Sequence, residues 1–202
     1  MNILVTQRVD LSDIGERRDA LDQRWAAVLA AIGAVAIPVP NLPAQAVPLA
    51  ESVAAAGVLL SGGNDLGAAP ERDATETALV DWALARDLPV LGVCRGMQFL
   101  AVRFGAALVE LSGHVARRHR VSAGGRAFEV NSYHRFGLAA LPYGLIPLAT
   151  ADDGSIEAFR HQSLPVAAMM WHPEREQPPE REALALIRTF FTTRRFDIPC
   201  AH

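Results

Sequence analysis

The chain has 202 residues, of which half are apolar and a fifth are charged, and its formal net charge is −3. This length predicts one compact domain over residues 1–202. The acidic balance excludes a general attraction to nucleic acid or to an anionic membrane, so any anion site has to come from local arginine clusters. Two cysteines, Cys94 and Cys200, are too few for a disulfide framework and indicate reduced thiols. With no signal-peptide pattern and no apolar run long enough for a bilayer, we expect a cytoplasmic protein.

The first half of the chain alternates short apolar runs with helical spacing of apolar residues. We predict a helix over 17–32, ended by Gly33, and a Pro-rich loop through Pro48. Short, wholly apolar strands between helices are typical of a parallel sheet covered on both faces. The predicted strands are 2–6, 34–39, 58–61 and 89–93, and the further helices are 75–86 and 95–104.

The second half is dominated by strand-like segments, with Asp152-Asp153-Gly154 as a hairpin turn. We therefore expect antiparallel additions to a largely parallel sheet. The segments are 107–111, 128–131, 146–149, 156–161 and 166–171, followed by a closing helix over 179–191.

Cys94 lies where a predicted strand ends and a predicted helix begins. The carboxyl ends of parallel strands are where open sheets bind ligands, and a helix N-terminus favours a thiolate. Gly92 and Gly96 leave room on both sides for a tight nucleophile elbow. The alternative is a buried structural cysteine, which is common, but the flanking glycines favour a nucleophile.

His172 and Glu174 follow another apolar strand and are separated by Pro173. Residues two apart in an extended chain point the same way, so the carboxylate can orient the imidazole. A base and its orienter complete a cysteine triad. Glu176 is a competing orienter that lies further along the chain, and an ordinary surface His-Pro-Glu is the other alternative.

Further polar residues follow the predicted strands and supply candidate oxyanion and substrate contacts. The adjacent glycines Gly62 and Gly63 can turn backbone N–H groups inward, so Gly63 and Arg95 are expected to donate to an oxyanion. A simple turn is the alternative at this segment. The candidate substrate-binding residues are Gly62, Asn64, Gln98, Asn131, Ser132, Tyr133 and His134.

A basic stretch over 114–120 stands out in an acidic chain. Such a run is usually a solvated face. We hypothesise instead that Arg117, Arg118 and Arg120 bind a phosphate-bearing substrate. We find no clear metal-ligand spacing and expect neither a metal nor an organic cofactor.

Three segments together resemble the class I glutamine amidotransferases over nearly the whole chain. They are Ser-Gly-Gly-Asn-Asp at 61–65, Gly-Val-Cys-Arg-Gly-Met-Gln at 92–98 and Trp-His-Pro-Glu at 171–174. The resemblance implies an α/β fold of flavodoxin-like type, a three-layer sandwich with a mostly parallel central sheet and antiparallel additions. It also implies a Cys94–His172–Glu174 triad and a γ-glutamyl thioester.

The sequence Cys94-Arg95 makes this chain resemble the stand-alone γ-glutamyl hydrolases, such as the γ-glutamyl-aminobutyrate hydrolases of polyamine breakdown. A closer resemblance is to the γ-glutamyl-CDP-amidate hydrolases of capsule phosphoramidate synthesis. It rests on Thr-Gln-Arg at 6–8 and on segments 128–134, 155–159 and 171–176. The implied partner is a small γ-glutamyl substrate. A homodimer, a glutaminase subunit feeding a separate synthetase and a non-catalytic binding protein are left open, and the resemblance does not favour the synthetase.

Overall fold

The computed structural model describes residues 1–198, and Cys200 lies outside them. Nine strands form one mixed sheet in the order β4-β1-β5-β6-β13-β12-β11-β8-β9. Its strands are β1 Asn2–Thr6, β4 Val35–Val39, β5 Gly57–Leu60, β6 Val90–Val93, β8 Val115–Ala123, β9 Arg126–Tyr133, β11 Leu145–Ala151, β12 Ile156–His161 and β13 Val166–Met169. Two short antiparallel pairs accompany it, β2 Arg8–Leu11 with β3 Arg17–Ala20 and β7 Val109–Glu110 with β10 Phe136–Gly137.

The five strands from β4 to β13 are parallel to their neighbours, and the four pairings from β13 to β9 are antiparallel. Numbered among themselves, the parallel strands have the order 2-1-3-4-5, which is that of flavodoxin-like sheets. The predicted parallel core with antiparallel additions is therefore confirmed. The turn at Gly154 joins β11 to β12 as expected, since Gly154 N–H donates to the carbonyl of Ala151 at 2.9 Å.

Five α-helices cover the two faces of the sheet: α1 Arg24–Ala31, α2 Pro43–Ser52, α3 Pro70–Leu84, α4 Arg95–Arg103 and α5 Arg181–Thr193. Alternate residues of each strand enter opposite cores, as the two-residue period requires. Leu59 packs with Trp25 of α1 and Phe190 of α5, whereas Leu60 packs with Leu79 of α3 and Met97 of α4. The result is a three-layer arrangement. Within residues 1–198, no helix is long and apolar enough to cross a membrane.

Two predictions in the first half were wrong. Residues 17–20 form β3 rather than the start of a helix, because they pair with β2, and α1 begins only at Arg24. The Pro-rich segment is helix α2 rather than a loop. Pro43 occupies its first turn, where a missing N–H costs nothing, while Ala46 and Ala50 face the core.

Three predictions in the second half also need correction. Segment 107–111 does not extend the main sheet, because only Val109–Glu110 forms a strand, β7, and it pairs with β10. The basic segment around 114–120 belongs largely to the long strand β8, which pairs with β9 over its whole length. Its two-residue alternation is hard to read from the sequence because arginines occupy positions 117, 118 and 120 and a register shift interrupts the pairing between Val115 and Arg117. Residues 131–133 likewise lie within β9 instead of following it.

Candidate functional site

Cys94 is located between β6 and α4 and has φ 53° and ψ −107°, a conformation that L side chains rarely adopt. Its N–H donates to the carbonyl of Met169 in the neighbouring strand at 2.9 Å. The turn depends on close backbone approach: a Cβ at Gly96 would lie 2.2 Å from the carbonyl oxygen of Leu60, and one at Gly92 would lie 2.6 Å from the backbone of Gly96. The elbow predicted from the two glycines is present.

The His172 imidazole is held by Glu174. His172 Nδ1 lies 2.7 Å from Glu174 Oε1, and both side chains are 2% exposed. Pro173 begins a short 3₁₀ helix, Pro173–Arg175, that turns the carboxylate back onto the ring. Glu176 makes no hydrogen bond or ion pair with His172; its Oε1 accepts instead from Arg118 and Asn131. The geometry therefore selects Glu174 as the group that orients the ring.

The side chains of His172 and Cys94 both lie next to Gly62. A Cβ at Gly62 would lie 2.7 Å from His172 Cε1 and 3.6 Å from Cys94 Cβ, so only glycine fits between them. Burial alone would lower the pKa of His172, but the favourable interactions of the ring with Cys94 and Glu174 outweigh it and raise the pKa to about 9. The imidazole is therefore protonated near neutral pH. Its Nε2 is buried without a hydrogen-bond partner among residues 1–198, as expected of a group that acts on a bound substrate.

A buried charge network lies beneath the elbow. The Arg95 guanidinium pairs with Glu76 and Asp73 of α3, and Glu76 Oε1 accepts from Arg72 Nε at 2.9 Å and from the Thr6 hydroxyl at 2.8 Å. Arg72 also donates to the carbonyl of Ser61 at 2.7 Å, next to Gly62. The network thus joins α3, the first turn of α4 and the loop after β5. Sequence analysis missed it, although Arg72 and Glu76 stand at a helical i,i+4 spacing.

The side chains of Asn131 and Ser132, which were predicted to contact substrate, form hydrogen bonds to the backbone. Asn131 Nδ2 donates to the His172 carbonyl at 2.8 Å, and His172 N–H donates to Asn131 Oδ1 at 2.8 Å. Ser132 is buried, and its hydroxyl donates to the carbonyl of His114. The contacts of Asn131 therefore position the backbone of His172.

Asn64 and Gln98 are also occupied by backbone contacts. Asn64 accepts from Val9 N–H and donates to the Val9 carbonyl, both at 2.8 Å, which fixes the β2–β3 hairpin. Gln98 Nε2 donates to the carbonyl of Phe136 at 2.7 Å. Both polar atoms of the Asn64 side chain are thus in use, whereas only Nε2 of Gln98 is. Substrate contact by these two residues stays a prediction.

A cleft of about 180 Å³ opens onto His172. Gly62 and Gly63 form part of its wall, and two arginines that were not predicted as site residues, Arg8 and Arg175, also line it. The hairpin of β2 and β3 closes one side, so the misassigned segment is part of the site. The remaining lining residues are Ala20, Leu21, Asp22, Trp25, Ser61 and Glu174.

A second cleft of about 260 Å³ adjoins the first through Arg175. Arg117 and Arg118 line it together with Tyr133, whose ring lies 5.7 Å from that of His172 and beneath the Arg175 guanidinium at 4.2 Å. Arg120 does not line this cleft. Two of the three predicted arginines are thus near the site, although Arg118 is also paired with Glu176 at 2.7 Å.

Other features lie away from the elbow. A cleft of about 530 Å³ between β9 and α5 is larger; it is lined by the Arg126–Glu182 pair (2.8 Å) and by Glu129, Glu180 and Arg181, and among residues 1–198 no nucleophile lines it. His134, predicted to contact substrate, is buried with His114, His119 and Glu157. Sequence analysis found no metal-ligand spacing there because these residues come from separate segments.

Residues 18–192 match the family model described as glutamine amidotransferase class-I. The chain belongs to this family. Over 125 residues it is 36% identical to the γ-glutamyl-CDP-amidate hydrolase of Campylobacter jejuni, a match that covers 59% of this chain and 62% of that protein. Over 127 residues it is 34% identical to a glutamine-hydrolyzing GMP synthase subunit of Methanosarcina barkeri, covering 58% and 64%. The chain therefore spans less than two thirds of either relative.

A solved structure of a Thermoplasma acidophilum protein, described as a putative GMP synthase subunit, superposes with a TM-score of 0.75 at 23% identity. The superposition covers 95% of this chain and 92% of that one. A glutamine amidotransferase from Thermotoga maritima has a TM-score of 0.64 at 15% identity, covering 93% of this chain and 81% of that one. These structures confirm the expected fold of the family.

Proposed function

We propose that the chain hydrolyses a γ-glutamyl amide through a thioester on Cys94. The observation that carries this proposal is the arrangement around Gly62: a cysteine on a strained elbow faces a buried histidine that is hydrogen bonded to a carboxylate. Nucleophile, base and orienter are the parts that acyl transfer by a cysteine requires. Membership of the class I glutamine amidotransferases supports the same chemistry.

In the first half-reaction, the Cys94 thiolate attacks the amide carbonyl carbon and a C–S bond forms. The N–H groups of Gly63 and Arg95 stabilise the oxyanion. Protonated His172, held by Glu174, gives its Nε2 proton to the departing nitrogen as the C–N bond breaks. The products are the free amine or amidate and a γ-glutamyl thioester.

In the second half-reaction, neutral His172 takes a proton from water, and the oxygen attacks the thioester carbonyl. The C–S bond breaks, glutamate leaves, and Cys94 returns to the thiolate beside a protonated imidazole. The hydrogen bonds between Asn131 and the His172 backbone keep the ring in place through both steps.

For the leaving group we propose a nucleoside diphosphate that carries the departing nitrogen as an amidate, as CDP-amidate does in γ-glutamyl-CDP-amidate. Two features support it. A relative with that name is 36% identical over 125 residues, and the two clefts beside His172 are lined by Arg8, Arg175, Arg117 and Arg118. Guanidinium groups bind phosphate oxygens through paired hydrogen bonds, so these four arginines suit a diphosphate, which carries more negative charge than the single carboxylate of an aminobutyrate leaving group.

The second candidate is a glutaminase subunit that supplies ammonia to a separate synthetase. It is favoured by the likeness to GMP synthase subunits in sequence and fold. Such a subunit would act on glutamine itself and would be slow without its synthetase. The arginine-lined clefts have no evident use in that role.

The test is release of glutamate from γ-glutamyl-CDP-amidate, γ-glutamyl-aminobutyrate and glutamine, with Cys94→Ala as the blank. We expect the nucleotide compound to have the highest kcat/KM and the blank to show no release. Preference for γ-glutamyl-aminobutyrate would contradict the proposed leaving group but retain the hydrolase. Activity in the Cys94→Ala protein would contradict the mechanism as a whole.

A reactive glutamine analogue distinguishes a chain whose Cys94 is unreactive from a glutaminase subunit that lacks its synthetase. 6-Diazo-5-oxo-norleucine should alkylate Cys94, and the adduct is detected by peptide mass spectrometry. Labelling of Cys94 without glutamate release from any compound would favour the glutaminase subunit. Absence of both labelling and release would contradict both candidates.

A further inference from the structure

Three histidines and one glutamate meet inside the antiparallel half of the sheet. His114 precedes β8, His119 lies within β8, His134 follows β9, and Glu157 lies in β12. One ligand atom from each is within 4.8 Å of all the others. Glu157 is 1% exposed, His134 is 3% exposed, and His114 is 5% exposed. None of the four has a part in the proposed hydrolysis.

The outward nitrogens of two rings are already committed as donors. His114 Nε2 lies 2.9 Å from the Asp153 carboxylate, and His134 Nδ1 lies 3.1 Å from the carbonyl oxygen of Phe136. Both partners only accept hydrogen bonds, so each of these nitrogens carries the proton of its ring. In the neutral tautomers, His114 Nδ1 and His134 Nε2 therefore direct lone pairs into the cluster.

Those lone pairs face each other. His114 Nδ1 and His134 Nε2 are 3.3 Å apart, and Glu157 Oε1 is 3.7 Å from the first and 3.5 Å from the second. Glu157 Oε2 is 3.4 Å from His119 Nε2. In the described part of the chain, neither oxygen of Glu157 has a hydrogen-bond partner. A buried carboxylate with facing lone pairs is repulsive unless a cation lies between them.

We propose that His114, His119, His134 and Glu157 bind a divalent transition-metal ion, with Zn²⁺ the best match. Four nitrogen and oxygen ligands about 2.0–2.1 Å from zinc stand roughly 3.3 Å apart in a tetrahedron. The three separations among His114 Nδ1, His134 Nε2 and Glu157 Oε1 are 3.3–3.7 Å and approach that spacing. His119 Nε2 lies 3.4 Å from the other Glu157 oxygen, and one ligand atom from each of the four residues lies within 4.8 Å of the others. Imidazole and carboxylate together suit zinc better than Mg²⁺ or Ca²⁺, which prefer oxygen.

The surrounding contacts have the form that metal sites require. Asp153 accepts from His114, and its Oδ1 accepts in turn from the Ser155 N–H and hydroxyl. A carboxylate behind a ligating histidine orients the ring and raises its basicity. The ion would tie β8, β9 and β12 together with four protein ligands and no open position, which is the pattern of a structural site.

The test uses untagged protein with Cys94→Ala and Cys200→Ala, so that no thiol can bind the metal. After chelator treatment and dialysis, we expect this parent protein to take up one equivalent of Zn²⁺ by calorimetry and mass spectrometry, with a rise in Tm. Co²⁺ should give the intense visible absorption of a tetrahedral site. These measurements need no ligand variant, so a variant that fails to fold does not weaken them.

Matched variants locate the site. Glu157→Gln should abolish the Zn²⁺-dependent rise in Tm, and Asp153→Asn should weaken Zn²⁺ binding about 10- to 100-fold. His161→Gln, which removes a histidine outside the cluster, should bind like the parent. The proposal is wrong if the parent takes up no metal, since the four residues would then form a proton-sharing network, or if Glu157→Gln binds as the parent does. Neither result depends on which substrate is hydrolysed.

Discussion

Cys94 and Glu174 together control the protonation of His172. The pKa of His172 is raised to about 9 because the partners Cys94 and Glu174 outweigh the effect of burial. Since the folded pKa exceeds the ordinary value of 6.5, this group stabilises the folded chain fully below about pH 6.5. That stabilisation is lost as the pH rises through about 9. The proposed leaving-group protonation should fail over the same alkaline range.

We therefore predict that kcat/KM of the native chain declines on the alkaline side near pH 9, and that Glu174→Gln moves this decline to lower pH. The amide can still bond to Nδ1 but no longer supplies a negative charge, so the protonated ring is less stable. The measurement is a pH profile of glutamate release. Glu176→Gln is the matched control because Glu176 is near but does not touch the ring. A shift of equal size in the control would contradict the assigned role of Glu174.

At the scale of elements, the elbow depends on α3 as much as on β6 and α4. Glu76 joins the guanidinium groups of Arg72 and Arg95, and all three side chains are almost wholly buried. Removing one member of a buried ionic group leaves uncompensated charge, which typically costs about 3–5 kcal/mol. Glu76 of α3 thus anchors Arg95, the residue after Cys94, although α3 makes no contact with substrate in our proposal.

We predict that Glu76→Gln lowers the free energy of unfolding by about 3 kcal/mol and reduces glutamate release, since Arg95 loses its anchor. Urea denaturation measures the first effect. Glu71→Gln, one helical turn earlier, removes a partly exposed pair with Arg17 and should cost less than about 1 kcal/mol. Similar losses of unfolding free energy in the two variants would show that the buried ion pairs of Glu76 stabilise the fold no more than an exposed pair does.

The elements that were predictable from sequence are those whose local pattern and tertiary setting agree. The apolar strands β1, β5, β6 and β13 are buried on both faces, so their composition alone identified them. The β2–β3 hairpin was missed because Arg17–Ala20 is polar and held by cross-strand pairing, a nonlocal contact. The same limit applies to the site. Cys94 and His172 were found from local motifs, whereas the Glu76 network and the histidine cluster join distant segments.

At the scale of the whole molecule, the chain is acidic but its site is lined by arginines. The formal charge is −3, yet four arginines (Arg8, Arg117, Arg118 and Arg175) line the two clefts near His172, against three acidic residues (Asp22, Glu174 and Glu176). Net charge therefore says little about the substrate, while the local distribution favours an anion. The arginines of β8 do not all face the second cleft: Arg117 lines it, and Arg120 does not.

We predict that Arg117→Ala lowers kcat/KM for γ-glutamyl-CDP-amidate roughly tenfold, the loss expected for one charge-assisted hydrogen bond of about 1.5 kcal/mol. The same variant should act normally on γ-glutamyl-aminobutyrate, which lacks a phosphate. Arg120→Ala is the control on the same strand and should change neither. Equal losses on the two substrates would mean that Arg117 supports the fold of β8 rather than the phosphate.

Ionic strength offers an independent measurement of the same interaction. Raising the salt concentration from about 0.01 M to 0.15 M shortens the Debye length from about 30 Å to 8 Å. If the arginines that line the two clefts attract a diphosphate, kcat/KM for the nucleotide substrate should fall over this range. The value for γ-glutamyl-aminobutyrate should fall much less. Arg117→Ala should flatten the salt dependence, since one of the attracting charges is gone. A parallel decline for both substrates would indicate a general effect of salt on the enzyme and would remove the electrostatic argument for a nucleotide leaving group.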